Sequence, residues 1–261
     1  MRPRVLLLHG FMSGGVAWRQ VAAELDADCD LRAPDLLGHG SGPDDHPTLE
    51  RMVAHVLPVA QAFAPTHIVG HSMGAIVALD LITQLDVCPA GLGLVGLPVY
   101  ADREDGLSHL HKRGLLHKTV LANDKLSHGI GCRTVYGLRR FWSPVGRAFV
   151  PLQPTDHMIA AFQHTRQGHD SINRIVFGDH VPRLADAVHL PIAALHGGRD
   201  PSARLDRVLA LAQERGWPVH IAPTGTHQLP IERPKMVARW IRDQVLTPPA
   251  CRHGALRAPL A

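Results

Sequence analysis

Residues 66–74 of this 261-residue chain read THIVGHSMG: a short apolar run, then Gly70-His71-Ser72-Met73-Gly74, then an apolar stretch suited to a helix over 75–84. Glycines on both sides of a serine let a strand turn into a helix with almost no loop, because backbones without Cβ atoms can pass closely. Such a joint sets a strand and a helix in adjacent layers, which is an α/β arrangement. The serine is pushed out of the turn. Behind it lie the unpaired N–H groups and partial positive charge of a helix N-terminus. That environment suits a nucleophile whose attack creates an oxyanion, the mechanism of a G-x-S-x-G elbow. A plain strand–turn–helix joint is the competing reading, since the five residues alone are ordinary.

The joint is one beat of a longer alternation. Short apolar strands are expected over 5–9, 30–33, around Ile68, and over 92–96, 191–196 and 218–222. Helices are expected over 16–25, from a Thr48 cap to Phe63, and over 75–84, 203–215 and 230–245. Arg51 stands where a capping box has glutamate, and Pro58 marks a kink or early break. Repeated strand–helix units predict a doubly wound, mostly parallel α/β sheet of about six strands, with sites at the strands' carboxyl ends. From 99 to 188 the alternation stops. Helices over 106–120 and 155–167 and an irregular aromatic stretch over 138–154 read as an insertion. The expected organisation is a core of 1–98 and 189–247, an inserted helical segment of 99–188, and a flexible C-terminal tail of 248–261.

Composition excludes several classes. Hydrophobic residues are 45% of the chain, enough for one sizeable core. The formal net charge is +4, but the basic residues are scattered, with only small groups such as Lys112-Arg113 and Arg139-Arg140. Nucleic acid is therefore not an expected partner. Cys29, Cys88, Cys132 and Cys251 form no C-x-x-C pair, which argues against a disulfide framework or zinc site. The apolar run after Arg4 is too short for a signal peptide, and no run has the length of a membrane span. A soluble cytoplasmic protein without a membrane partner is expected, as a monomer or small homo-oligomer. His109 and His111 are two apart, not the three or four that ligands on one helix face need, so no metal is expected.

A serine hydroxyl needs a base, and the base needs a group that fixes its tautomer. Two candidates follow later strands in the order Ser…Asp…His. Asp200 closes His196-Gly197-Gly198-Arg199-Asp200, and His227 lies in Thr224-Gly225-Thr226-His227. Asp200 before Pro201-Ser202 also suits a turn or a helix cap. An oxyanion needs two backbone donors. Met73 N–H follows the nucleophile, and Phe11 N–H follows Gly10 in the loop after the first strand. His71 reads as structural or pocket-facing, His9, His39 and His196 as non-catalytic, and Asp35 as tying down its own loop.

These pieces together resemble the α/β-hydrolase superfamily, of the serine-nucleophile kind with a helical cap. The matching residues are His9-Gly10-Phe11, Asp35 to Ser41, Gly70 to Gly74, the Gly197–Asp200 loop, and His227 with Glu232-Arg233-Pro234. The resemblance implies a serine hydrolase that cleaves an ester, thioester or related acyl bond of a small organic substrate. It implies a catalytic triad of Ser72, His227 and Asp200, an acyl-enzyme, and no cofactor. The alternatives behind that reading are a C–C bond hydrolase, an acyltransferase or a lactonising or cyclising enzyme using the same triad, and a ligand-binding protein. Some relatives place the acid after the preceding core strand, where Asp102 is the candidate. The His-Gly motif begins at residue nine, so the family's opening antiparallel pair is largely absent and six parallel strands are expected.

Overall fold

The computed structural model describes residues 2–39, 46–112 and 166–247. The aromatic stretch over 138–154, most of the helix expected over 155–167, Ser41, Cys132, Cys251 and the tail lie outside the described residues.

Four strands have no exposed position: β1 (Arg4–Leu8), β3 (His67–His71), β4 (Gly91–Val95) and β5 (Ile192–Gly197). Strands without an exposed position form where a sheet is covered on both faces. The shorter β2 (Asp30–Arg32) and β6 (Val219–Ala222) are more exposed and take the edges. The order is β2-β1-β3-β4-β5-β6, and every pairing is parallel. The chain leaves β1 for β2 on one side and returns to β3 on the other. That reversal opens a crevice at the carboxyl ends of β1 and β3, where ligands bind in sheets of this type.

Side chains alternate across the pleat. Leu6, Leu8 and Ile68 point to the face covered by α2 (Leu49–Phe63) and α3 (Met73–Ile82). Val5, Leu7 and Val69 point to the other face, against α1 (Arg19–Leu25) and Trp240. Between β4 and β5 lie α4 (Arg103–His111), α5 (Arg166–Val176) and α6 (Val181–Asp186). After β5 come α7 (Leu205–Arg215), α8 (Leu229–Glu232) and α9 (Pro234–Trp240).

Several boundaries differ from the sequence reading for local reasons. Thr48 does cap α2, accepting from Arg51 N at 3.3 Å, but Pro58 neither ends nor divides that helix, which runs to Phe63. The helix expected over 16–25 opens as a 3-10 turn, Gly15–Trp18. The one expected over 106–120 starts earlier, because Asp102 accepts from Asp105 N at 2.8 Å. The single closing helix over 230–245 is divided. Pro234 has no N–H to donate and opens a new helix, and Arg233 before it is non-helical at φ −136°. The last turn, Ile241–Val245, widens to a π-helix. No helix among the described residues is long and apolar enough to cross a membrane.

Candidate active site

β3 passes into α3 through Ser72 alone. Its φ of 53° and ψ of −120° are outside the regions that L-residues favour. Ser72 N donates to Val95 O at 2.8 Å, which ties the turn to the end of β4. Both flanking glycines are required by space. A Cβ on Gly70 would lie 2.4 Å from Gly74 O, and one on Gly74 would lie 2.3 Å from Leu8 O. Gly10 packs against the elbow from the loop after β1, where an added Cβ would stand 3.1 Å from Ser72 Cβ. Phe11 follows it directly, its ring edge-on to His169 of α5 at 4.7 Å. Met73 is the buried first residue of α3. Both expected donor segments therefore stand beside Ser72.

His227 reaches the serine from the loop after β6, its Nε2 2.9 Å from Ser72 Oγ. Its Nδ1 lies 2.7 Å from Asp200 Oδ2. A carboxylate only accepts, so Nδ1 carries the proton and Nε2 accepts from the serine hydroxyl. The other Asp200 oxygen, Oδ1, accepts from Ser202 N at 2.7 Å and Ala203 N at 2.9 Å. Asp102, by contrast, is exposed at the start of α4 and caps it. Of the two aspartates the sequence left open, the structure brings Asp200 to His227.

Burial pushes the Asp200 carboxyl upward, but the charge and hydrogen bond of His227 outweigh it and hold the group below the ordinary aspartate value. For His227, burial opposes the charged ring, while Asp200's charge and hydrogen bond, with a smaller part from Glu232, raise its pKa above the ordinary value. The pair is thus arranged to stabilise an imidazolium next to Ser72.

Other residues position this constellation. His71 is buried and donates from Nε2 to His227 O at 2.7 Å, so the residue beside the serine anchors the histidine loop. Its structural reading fits this placement. Asp35 Oδ1 accepts from Gly15 N at 2.8 Å and stitches the loop after β2 to the one after β1. His9 joins the same two loops, accepting at Nε2 from Leu36 N at 2.9 Å.

Three further residues contribute; Glu232 stands among the family-matching residues of the sequence, and the other two escaped sequence reasoning. Gly96, at φ +57°, lies under the pair, where a Cβ would meet His227 Nδ1 at 3.3 Å. Glu232 accepts from the Thr226 hydroxyl and braces the histidine loop. The buried Tyr100 hydroxyl donates to Ser202 O, beside Asp200. Glycine spacing after β4 was a possible signal for Gly96; nothing in the sequence pattern pointed to Tyr100. Among the described residues no three or more His, Cys, Asp and Glu side chains gather as a metal would require.

The profile of the alpha/beta hydrolase family matches residues 5–240, and the chain belongs to that family. Among curated proteins it is similar to the pimeloyl-(acyl-carrier protein) methyl ester esterase of Aromatoleum aromaticum, with 35% identity over 120 residues, 46% of this chain and 47% of that one. It is also similar to lipase LipV of Mycobacterium tuberculosis, with 38% identity over 81 residues, 30% and 31% of the two chains. The chain therefore matches less than half the length of these relatives. In fold it is similar to E-2-(acetamidomethylene)succinate hydrolase, with a TM-score of 0.69, 16% identity, and coverage of 94% of this chain and 91% of that one.

Proposed function

We propose that this chain is a serine hydrolase that cleaves an ester, thioester or related acyl bond of a small organic substrate. The observation that carries this reading is the unbroken line of hydrogen bonds from Ser72 Oγ through His227 to Asp200, 2.9 and 2.7 Å long. Ser72 Oγ attacks the carbonyl carbon while its proton passes to His227 Nε2. The carbonyl electrons collect on oxygen, where the N–H groups of Phe11 and Met73 donate to it. The acyl–heteroatom bond then breaks, and His227 gives its proton to the leaving group. Water, deprotonated by the same nitrogen, attacks the acyl-enzyme and releases the acid. Asp200 stays ionised throughout and stabilises the imidazolium. The ester and lipid names of the relatives fit an ester-type bond. Residues 99–188 act as the cap that selects the substrate, a role supported by the contact of His169 with the Phe11 ring.

A fluorophosphonate probe combined with a panel of activated esters of increasing acyl length tests the reading. Labelling confined to Ser72 is expected, with turnover that peaks at one acyl length. In Ser72→Ala both labelling and the bulk of turnover are lost, a fall on the order of a thousandfold or more. Full ester turnover by Ser72→Ala would overturn the proposal.

A further inference from the structure

His196 is the penultimate residue of β5 and is wholly buried. Its Nδ1 lies 2.9 Å from Gly197 O, which can only accept, so the ring's proton is on Nδ1. Its Nε2 has no hydrogen-bond partner and lies 3.9 Å from Asp200 Oδ2, the oxygen that His227 Nδ1 binds at 2.7 Å. A separation of 3.9 Å is too long for a hydrogen bond. Between two buried groups it still couples their charges strongly. Two imidazoles thus converge on one carboxylate oxygen, one as a donor and one with a lone pair. The carboxylate cannot turn to serve both, because Ser202 N and Ala203 N hold its other oxygen.

We propose that His196 is a positioning residue for the Asp200–His227 pair. With its proton on Nδ1 it turns a lone pair toward Asp200 Oδ2 and leaves that oxygen to His227. Once protonated at Nε2, it becomes a second donor that competes for the same oxygen. The inference rests on the hydrolase reading, in which His227 is the base. The titratable groups that face His196 are Asp200 and His227. Its neighbours on the flanking strands are Ile221 on β6, in register, and Gly96 just past β4. Burial has the largest effect on its ring and holds its pKa below the ordinary histidine value, although Asp200 and the Gly197 carbonyl pull it up. As pH falls, His227 therefore takes a proton from solvent first and His196 second.

The test is the acid limb of kcat/KM for an activated ester, measured with the intact protein and with His196→Phe. In the intact protein the logarithmic slope should steepen from about one to about two as the second ring protonates; in the variant it should stay near one. Nitrogen-15 NMR of the intact, histidine-labelled protein provides a readout independent of turnover and of the variant's folding. His196 should carry its proton on Nδ1 at neutral pH, and its titration should move the low-field resonance of the His227 Nδ1 proton. A slope that still steepens in His196→Phe would overturn the inference. So would a proton on Nε2 at neutral pH, or a His227 resonance indifferent to His196. Absence of fluorophosphonate labelling at Ser72 would instead count against the hydrolase reading, while the NMR titration still decides the role of His196.

Discussion

Ser72 combines two demands on one residue: a hydroxyl within reach of His227, and a backbone that only glycine adopts readily. A non-glycine residue held in such a region costs about 1–3 kcal/mol. Ser72→Gly and Ser72→Ala both lose the hydroxyl, but only alanine keeps the strained Cβ. Ser72→Gly is therefore expected to be the more stable of the two by about 1 kcal/mol in urea denaturation. Equal midpoints would show that the turn is unstrained. The second prediction concerns Asp200. Replacing it with asparagine removes the acceptor that fixes the His227 tautomer, and kcat should fall by roughly ten thousandfold. In the proposed mechanism activity requires neutral His227, so the acid limb reports the pKa of that ring. Asp200 raises that pKa above 6.5, the ordinary value, so the limb of the intact protein lies above 6.5. In Asp200→Asn the raising influence is gone and the residual activity should persist to lower pH. A limb that stays in place would mean that Asp200 does not set the base.

At the scale of elements, the elbow works because two backbones nearly touch. A Cβ on Gly74 would lie 2.3 Å from Leu8 O and 2.5 Å from His9 O, both backbone atoms that side-chain rotation cannot clear. Gly74→Ala must push α3 away from β1 and should cost about 3 kcal/mol or more, read as loss of folded protein or a large fall in the urea midpoint. Gly216 is the control. It is left-handed at φ +69°, ends α7, and has nothing within 4 Å of an added Cβ. Gly216→Ala should cost only the backbone preference, about 1–2 kcal/mol. This geometry also explains what the sequence disclosed. The doubly covered strands are legible as apolar runs such as Val5 to Leu8, and the Gly70 and Gly74 spacing marks the joint between layers. The helix α5 was hidden because its inward positions include His169 and Asn173, which break the apolar stripe that marks a helix. The same limit applies at the site. Ser72, Asp200 and His227 each sit where a strand ends, which a sequence shows. The bond from His71 to the His227 carbonyl spans 156 positions, and the facing of His196 and Asp200 depends on how a loop folds back. Pairings of that kind leave no local pattern.

Over the whole molecule, the described helices between β4 and β5 are part of the same core as the sheet. Leu110 of α4, Ile172 and Val176 of α5, and Phe177 just past it are buried in one cluster with Leu6, Leu8 and the apolar residues of α3. Phe177 connects three regions. Its ring centroid is 5.4 Å from that of Tyr100, and a Cβ on Gly106 of α4 would meet its ring. Tyr100 in turn bonds to Ser202 O in the loop that holds Asp200. Helices that only rested on the core would unfold on their own, leaving the sheet protected. Helices that share the core should unfold with it. Phe177→Ala opens a cavity at the junction and should destabilise the protein by about 3–5 kcal/mol. The expected result is one cooperative urea transition shifted to lower concentration, with the amides of α5 and of β1 and β3 losing hydrogen-exchange protection together. Activity under native conditions should fall as well, because the Tyr100 ring loses the partner that steadies it beside the Asp200 loop. A separate early transition confined to α4, α5 and α6, with β1 and β3 still protected, would show instead that these helices are an independent unit.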